Sequence, residues 1–453
     1  MRKITARDMA LQVLKAVDGE GAYAGLALNH ILGKYRPGKL DRAFATELAY
    51  GVLRSLNTLD WVLGRFFKKP LSDQTVWIRN ILRLGVYQLL FMDRVPPSAV
   101  CNEAAELARK YGRAGTVRFV NGVLRNVVRK KKEISFPDRS EDPVAHISLR
   151  YSHPSWLVEQ WLSEFGEEGT IRLCQANNKP APNAGRTNTL KVTRAELAGR
   201  LVKEDLTVAE TAFAPEGLII NGFLSLSELP SFQEGLFLMQ DEGSMLVSHA
   251  LAPAPGARVL DACGAPGSKT THLAQLMGNS GEILAVDIHP HKLSLIQDNC
   301  RRLGITIVKC LSADARDLPG EFKHWADYAL VDAPCTGLGV LRRRPDARWR
   351  SRDLPVLVRL QSEILDRVSA CLRPGGILVY STCTINREEN HDQVRCFLNR
   401  HPEFEIADLR RFLPGSLDCG GGCLARGYIQ LLPHVHGTDG FFIARLRKKG
   451  LGV

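Results

Sequence analysis

The sequence predicts an α/β protein: a parallel-sheet domain with helices on both faces, preceded by an all-α domain and a small α+β module. Three observations predict it. Apolar residues recur at helical spacing through the first third. A polar, turn-rich stretch, Ser135 to Pro143, then breaks the pattern. From about residue 240, short apolar strands alternate with amphipathic helices. At roughly 150 residues per domain, the 453 residues suit two or three units. The expected domains are 1–138, 139–235 and 236–453.

In the first domain, Met9, Val13 and Val17 mark one helix, and Phe44, Leu48, Val52 and Leu53 mark another. Ile78–Met92 is apolar on two sides, as in the central helix of a bundle. Pro96-Pro97-Ser98 breaks the chain, with Ser98 expected to cap a helix over Ala99–Arg109. The middle module should contain helices at Trp156–Phe165 and Ala195–Glu204, with strands at Gly217–Ile220 and Gly235–Met239. The third domain should have strands at Arg258–Asp261, Glu282–Asp287, Thr306–Lys309, Tyr328–Asp332 and Gly376–Tyr380. Helices Lys269–Met277, Lys292–Leu303 and Val356–Cys371 fall between them. Gly440–Leu446 should add an edge strand.

Composition narrows the function classes. No apolar stretch approaches the ~20 residues that span a bilayer. Asp8 and Lys15 interrupt any signal-like run at the start. Eleven scattered cysteines fit a reducing compartment better than a disulfide framework. A cytoplasmic protein with no membrane partner is expected. The net charge is +12, and its location is informative. Residues 1–150 hold 26 Lys and Arg against 14 Asp and Glu, while the remainder holds 34 of each. The densest run, Arg109 to Lys132, has nine basic residues and no acid. Such a field attracts phosphate backbones. A second cluster, Arg342-Arg343-Arg344 with Arg348 and Arg350, lies in the neutral part, and its Arg342-Arg343-Arg344 run is expected to meet the phosphates of a bound strand.

In an open parallel sheet, ligands sit beyond the carboxyl ends of the strands. The loop after the first of these strands runs from Asp261 through Cys263, Gly264, Ala265, Pro266, Gly267, Ser268 and Lys269. Gly264 and Gly267 permit close backbone approach to a ligand, and Pro266 stiffens the turn. The string is neither G-x-G-x-x-G nor a Walker loop. Asp287 ends the second strand and is placed for ribose hydroxyls. Asp314, after the third strand, can face an adenine amine. Together they suit an adenosine ligand without a pyrophosphate, such as S-adenosylmethionine.

Two cysteines reach the same rim. One strand runs into Asp332-Ala-Pro-Cys335 and another into Ser381-Thr-Cys383. Most cysteines are inert and buried, but two thiols at a ligand rim suggest a joint task. C5 of cytosine is a poor nucleophile. A thiolate adding to C6 makes C5 reactive toward an electrophilic methyl group, and a base must then remove the C5 proton. One cysteine can be the nucleophile and the other can assist elimination, with Asp332 holding N3 and the exocyclic amine. The base must be unstacked, so a single-stranded or loop target is favoured.

At these residues the chain resembles the RNA cytosine-C5 methyltransferase family, in its ribosomal-RNA branch called RsmB (Sun/Fmu). The supporting strings are DACGAPGSKT, VDAPCTGLGVLRRRPDARWR and YSTCTINREEN, with FQEGLFLMQDEGS and TDGFFIARL beside them. The resemblance implies a Rossmann-like S-adenosylmethionine-dependent methyltransferase domain behind a NusB-like RNA-binding domain. It implies Cys383 as nucleophile, Cys335 in product release, and the Cys263–Lys269 loop with Asp287, Asp314 and Asp332 around the cofactor. The expected partner is 16S ribosomal RNA and not DNA, and a monomer is expected. Gly264 and Ser268 stand where the family pattern has Ala and Gly.

Two other classes compete: a non-catalytic RNA-binding regulator resting on the basic third, and a nucleotide-dependent dehydrogenase, which would need the G-x-G-x-x-G loop. The same chemistry on transfer RNA is a third alternative. No metal is expected, because Cys419 and Cys423 with His434 and His436 fit a closed zinc site poorly.

Overall fold

The computed structural model describes residues 4–67, 70–350, 353–418 and 421–450; Cys419 lies outside them. Contacts divide the chain into two units. One runs to Pro180 and includes Leu341–Arg350, and the other takes Ala181–Val340 and the rest of the chain. The boundary expected at 138/139 falls inside the first unit. The reason is a polar seam that ties helix Pro143–Tyr151 to helix Leu56–Gly64. Asn57 donates its backbone N–H to Ser152 Oγ at 3.0 Å and its side-chain amide to Ser148 Oγ at 2.9 Å. The turn-rich stretch is therefore a loop within one body.

Helix Val76–Phe91 is central to this unit, as its apolar flanks predict. Its one deeply buried cation, Arg83, forks onto both oxygens of Asp60 at 2.7 Å and reaches Asp18 at 3.0 Å. Gly51 lets helix Lys39–Arg54 approach, because a Cβ there would lie 2.1 Å from the Tyr87 ring. Helix Pro97–Tyr111 begins earlier than expected. Proline suits a first helical position, where its missing N–H costs nothing. Ser98 is then the second residue of the helix and not its cap.

The arginines of Leu341–Arg350 divide by burial. Arg348 is 1% exposed. Its guanidinium donates to Ser152 O at 3.0 Å, Asn178 Oδ1 at 2.9 Å and Asn177 O at 3.3 Å. These groups lie at the ends of helices Pro143–Tyr151 and Ser155–Asn178, and the carbonyls there have no intrahelical partner. A cation at helix C-termini is also favoured by the dipole. Trp349 donates to Leu53 O at 2.7 Å. Arg342 is buried as well, and of the triplet only Arg344 is exposed. Arg348 therefore holds helices together and is closed to phosphates.

In the second unit, β1 (Ala184–Thr187), β2 (Thr207–Glu210), β3 (Gly217–Asn221) and β4 (Phe237–Met239) form an antiparallel sheet in the order β2-β3-β1-β4. The main sheet contains β5 (Arg258–Asp261), β6 (Glu282–Asp287), β7 (Val308–Ser312), β8 (Ala326–Asp332), β9 (Leu372–Thr382), β10 (Phe404–Ile406), β11 (Tyr428–Leu431) and β12 (Phe441–Lys448). Its order is β10-β12-β9-β8-β5-β6-β7, with β11 also on β12. Strands β5 to β9 are parallel, and β12 joins β9 antiparallel. β12 is not the expected edge. It pairs with β9 on one side and with β10 and β11 on the other. Six of its residues are consecutively buried, which suits an interior strand.

A buried cluster backs this sheet. Glu216 Oε2 lies 3.0 Å from His249 Nε2, and Glu216 Oε1 lies 2.8 Å from His272 Nε2. His249 Nε2 also lies 3.1 Å from Oε1, so both imidazoles meet the carboxylate, and together they hold Glu216 well below the usual carboxylate range against the effect of its burial. Burial, reinforced by Arg186, pushes His272 down to about 3.

Arg348→Met is expected to destabilise the first unit by about 3 kcal/mol, because it strands buried acceptors; denaturant melts measure it. The pH sign for His272 follows from linkage. Above the unfolded value of 6.5, both states are neutral and stability is complete. As pH falls toward 3, only the unfolded chain takes up the proton, so stability is progressively lost. His272→Asn should flatten the fall of the urea midpoint between pH 6.5 and 4; an unaltered slope would contradict this assignment.

Candidate active site

Parallel strands β8 and β9 pair with Asp332 opposite Ser381. Cys335 and Cys383 follow within three residues, so the register alone sends both loops off the same rim. The sulfurs are 3.4 Å apart. Cys335 is buried and Cys383 is half-buried. Contact with the Cys383 sulfur, and then burial, pushes the Cys335 thiol well above its ordinary value. The pair therefore favours a state in which Cys335 keeps its proton.

A backbone seam supports the second loop. Gly339 N–H donates to Cys383 O at 3.0 Å, and Gly440 N–H donates to Gly339 O at 2.8 Å. A Cβ on Gly339 would lie 2.0 Å from Gly440 O and 2.8 Å from Cys383 O. Nothing larger than glycine fits between these chains.

The loop from β5 to helix Ser268–Leu276 is closed by its own amides. Gly264 N–H donates to Val286 O at 2.9 Å, and Gly267 N–H donates to Gly264 O at 2.7 Å. Gly267 has φ +98°, in the region that favours glycine. Ser268 has no positive φ and simply begins the helix, so serine is unstrained there. At Gly264 a Cβ would meet Asp261 Oδ2 and Thr270 Oγ1 at 3.1 Å, so glycine leaves more room than alanine would.

The acids converge on this loop. Burial pushes the Cys263 thiol up, and the negative charges of Asp261, Asp332, Asp287 and Asp314 push it further. Asp332 accepts from Lys269 Nζ and Ser381 Oγ, each at 2.8 Å, and so stands between the loop and the cysteine pair. Asp287 Oδ1 accepts the His289 N–H at 2.9 Å. Asp314 is gripped by the Arg316 guanidinium and its backbone N–H, which hold it below the usual carboxylate range.

Asp261 was legible only as a strand-end acid, and burial makes it distinctive. It is fully buried, and Oδ2 accepts the Thr270 hydroxyl at 2.6 Å. Oδ1 has no hydrogen-bond partner among the described residues. Burial pushes the carboxyl up to about 7. An orphaned buried acceptor beside a glycine-lined loop and the open amides of a helix N-terminus fits a ligand carrying an amine and a carboxylate. S-adenosylmethionine carries both groups.

Residues 248–447 match the family model described as 16S rRNA methyltransferase RsmB/F. Residues 153–227 match the RsmF/B-like ferredoxin-like domain, and residues 4–129 match the NusB family. A Bacillus subtilis protein, "Probable ribosomal RNA small subunit methyltransferase B", is 38% identical over 99% of this chain and 100% of its own length. The chain belongs to the RsmB/F family. A Synechocystis relative of the same name is 36% identical over 98% of this chain and 100% of its own. The crystal structure of PH0851 superposes with a TM-score of 0.82 at 30% identity, covering 98% of this chain and 99% of that one. NSun6 from Pyrococcus horikoshii with SFG matches with a TM-score of 0.58 at 30% identity, covering 65% of this chain and 98% of that one. As an RsmB/F member the protein is an S-adenosylmethionine-dependent RNA methyltransferase.

Gly339→Ala should lower the stability of the second unit by at least about 2 kcal/mol, as overpacking against backbone does. A thermal melt unchanged within error would show that the Gly339–Gly440 seam can open.

Proposed function

We propose that the protein methylates C5 of a cytosine in small-subunit (16S) ribosomal RNA through a covalent adduct between Cys383 and C6. The observation that carries this reading is the pair of sulfurs 3.4 Å apart beside the acid-ringed loop. Bound S-adenosylmethionine supplies an electrophilic methyl group. The loop Cys263–Lys269, with Asp261, Asp287 and Asp314, holds it. The amides opening helix Ser268–Leu276 would serve its carboxylate, and Asp287 would accept from its ribose hydroxyls.

The division of labour between the cysteines follows from their shared proton. Cys383 attacks C6 as thiolate while Asp332, braced by Lys269 and Ser381, accepts from the exocyclic amine and from N3. N3 takes a proton from solvent as the thiolate adds and returns it when the ring is restored. The Cys335 proton is held chiefly by the neighbouring Cys383 sulfur. Once that sulfur is bonded to carbon, the restraint disappears and Cys335 can release its proton to solvent. It then serves as the base for the C5 proton, and the Cys383 thiolate leaves as the C5–C6 double bond re-forms. The target cytosine must be out of its stack to reach two thiols in this rim, so a single-stranded or loop site is favoured.

The first unit supplies the anchor for RNA. Arg118, Arg125 and Arg129 are exposed on helix Thr116–Lys130, and Lys130, Lys131 and Lys132 follow them, exposed too. Spacings of seven and four put the three arginines on one helical face.

Cys383→Ser should abolish transfer of labelled methyl to 16S RNA, with S-adenosylmethionine binding retained; residual turnover above a thousandth of wild type would reject the nucleophile assignment. Cys335→Ala should accumulate a denaturant-resistant protein–RNA band, and product nucleosides from the intact enzyme should contain 5-methylcytosine. Replacing Arg129, Lys130, Lys131 and Lys132 with Gln should reduce the salt slope of RNA binding by about 2 to 4; an identical slope would place the anchor elsewhere.

A further inference from the structure

We propose that Glu389 is a positioning residue: through Thr336 and Thr384 it fixes the separation of the two reactive sulfurs. This rests on the covalent reading above and deepens it.

Glu389 is fully buried. Its carboxylate accepts the Thr336 N–H at 2.8 Å and the Gln361 side-chain amide at 3.0 Å on one oxygen, and the Thr336 hydroxyl on the other. Gln361 also donates to Pro334 O at 2.9 Å. The residues on both sides of Cys335 are therefore tied, directly or through one amide, to a single carboxylate. The backbone of Glu389 is anchored in turn, because its carbonyl accepts the Tyr380 hydroxyl at 2.7 Å.

The same carboxylate reaches the other cysteine. The Thr336 hydroxyl donates to Glu389, so its proton points at that carboxylate. The Thr336 oxygen is then free to accept, and the Thr384 hydroxyl lies 2.7 Å from it. Thr384 Oγ1 accepts in its turn from Asn386 N–H at 3.3 Å. The chain of bonds runs in one direction, from Asn386 to Thr384 to Thr336 to Glu389. Each reactive cysteine is followed immediately by one of the two linked threonines. The hydroxyl–hydroxyl bond at 2.7 Å and the sulfur–sulfur contact at 3.4 Å are thus neighbouring rungs between the same two loops. Buried, satisfied hydrogen bonds of this kind are short-range and directional, which suits them to fixing a geometry.

A clamp of this type affects the step that needs both sulfurs and leaves cofactor capture alone. Thr336→Val preserves shape and removes the link. In the full-length protein with 16S RNA and S-adenosylmethionine, its kcat should fall at least tenfold, with cofactor affinity and RNA KM little changed. The buried Glu389 oxygen left without the Thr336 hydroxyl should lower the melting temperature by only a few degrees. It should also accumulate a denaturant-resistant protein–RNA band like that of Cys335→Ala, because a displaced Cys335 cannot complete release. Glu389→Gln should retain activity within about threefold. Its carbonyl can still accept from Thr336 N–H and Gln361, while its amide donates to Thr336 and reverses the hydroxyl chain. Glu389→Leu should behave like Thr336→Val. If Cys335→Ala traps the band while Thr336→Val turns over within twofold of wild type and traps none, the clamp is wrong and the covalent reading stands. A Thr336→Val loss that tracks cofactor affinity or melting temperature would likewise overturn it in favour of a structural role. If Cys335→Ala traps nothing, both fall together.

Discussion

The contact between the sulfurs of Cys335 and Cys383 is the constraint on which the site depends. Two unbonded sulfurs at 3.4 Å touch within van der Waals range, and neither loop can hold that spacing alone. The parallel pairing of β8 and β9 brings the two loops to one rim with Asp332 opposite Ser381. The Gly339–Gly440 backbone seam then supports the Cys383 side, and the Thr336–Thr384 hydroxyls tie the two loops together. A single proton shared between equivalent groups makes them inequivalent.

Charge sorts the two ligands that such an enzyme must manage. The charges of Asp261, Asp287, Asp314 and Asp332 all act on Cys263, and Lys269 pairs Asp332. That environment repels phosphates and suits a ligand with an ammonium and a sulfonium centre. The opposite charge is concentrated in the first unit, where the run from Arg109 to Lys132 is exposed. A polyanion and a cationic cofactor are therefore drawn to different parts of the same chain, without either field cancelling the other.

Arg348 shows how far local sequence can mislead about charge. A run of arginines beside a cysteine motif reads as a phosphate grip, and by composition that reading is sound. Its outcome depends on acceptors nearly two hundred residues away, at the ends of helices near Asn178 and Ser152. Those carbonyls need a donor with several N–H groups, and Arg348 supplies it. The same logic applies to Ser98. It has the chemistry of a cap, but Pro97 beside it already satisfies the first helical position.

By itself, the sequence determined the classes of element and the identity of the reactive groups. Strand–helix alternation from β5 onward, the acids at strand ends and the two cysteines after β8 and β9 were all legible, because periodicity and turn chemistry act over a few residues. Tertiary structure decided what those groups became. It placed β12 inside the sheet, joined helices beyond residue 138 to the first unit, turned Arg348 into a helix clasp and left one oxygen of Asp261 unpartnered. It also set Glu389 against Thr336 across 53 residues. Burial and long-range hydrogen bonding depend on which distant surfaces meet, and no short window of sequence contains that information.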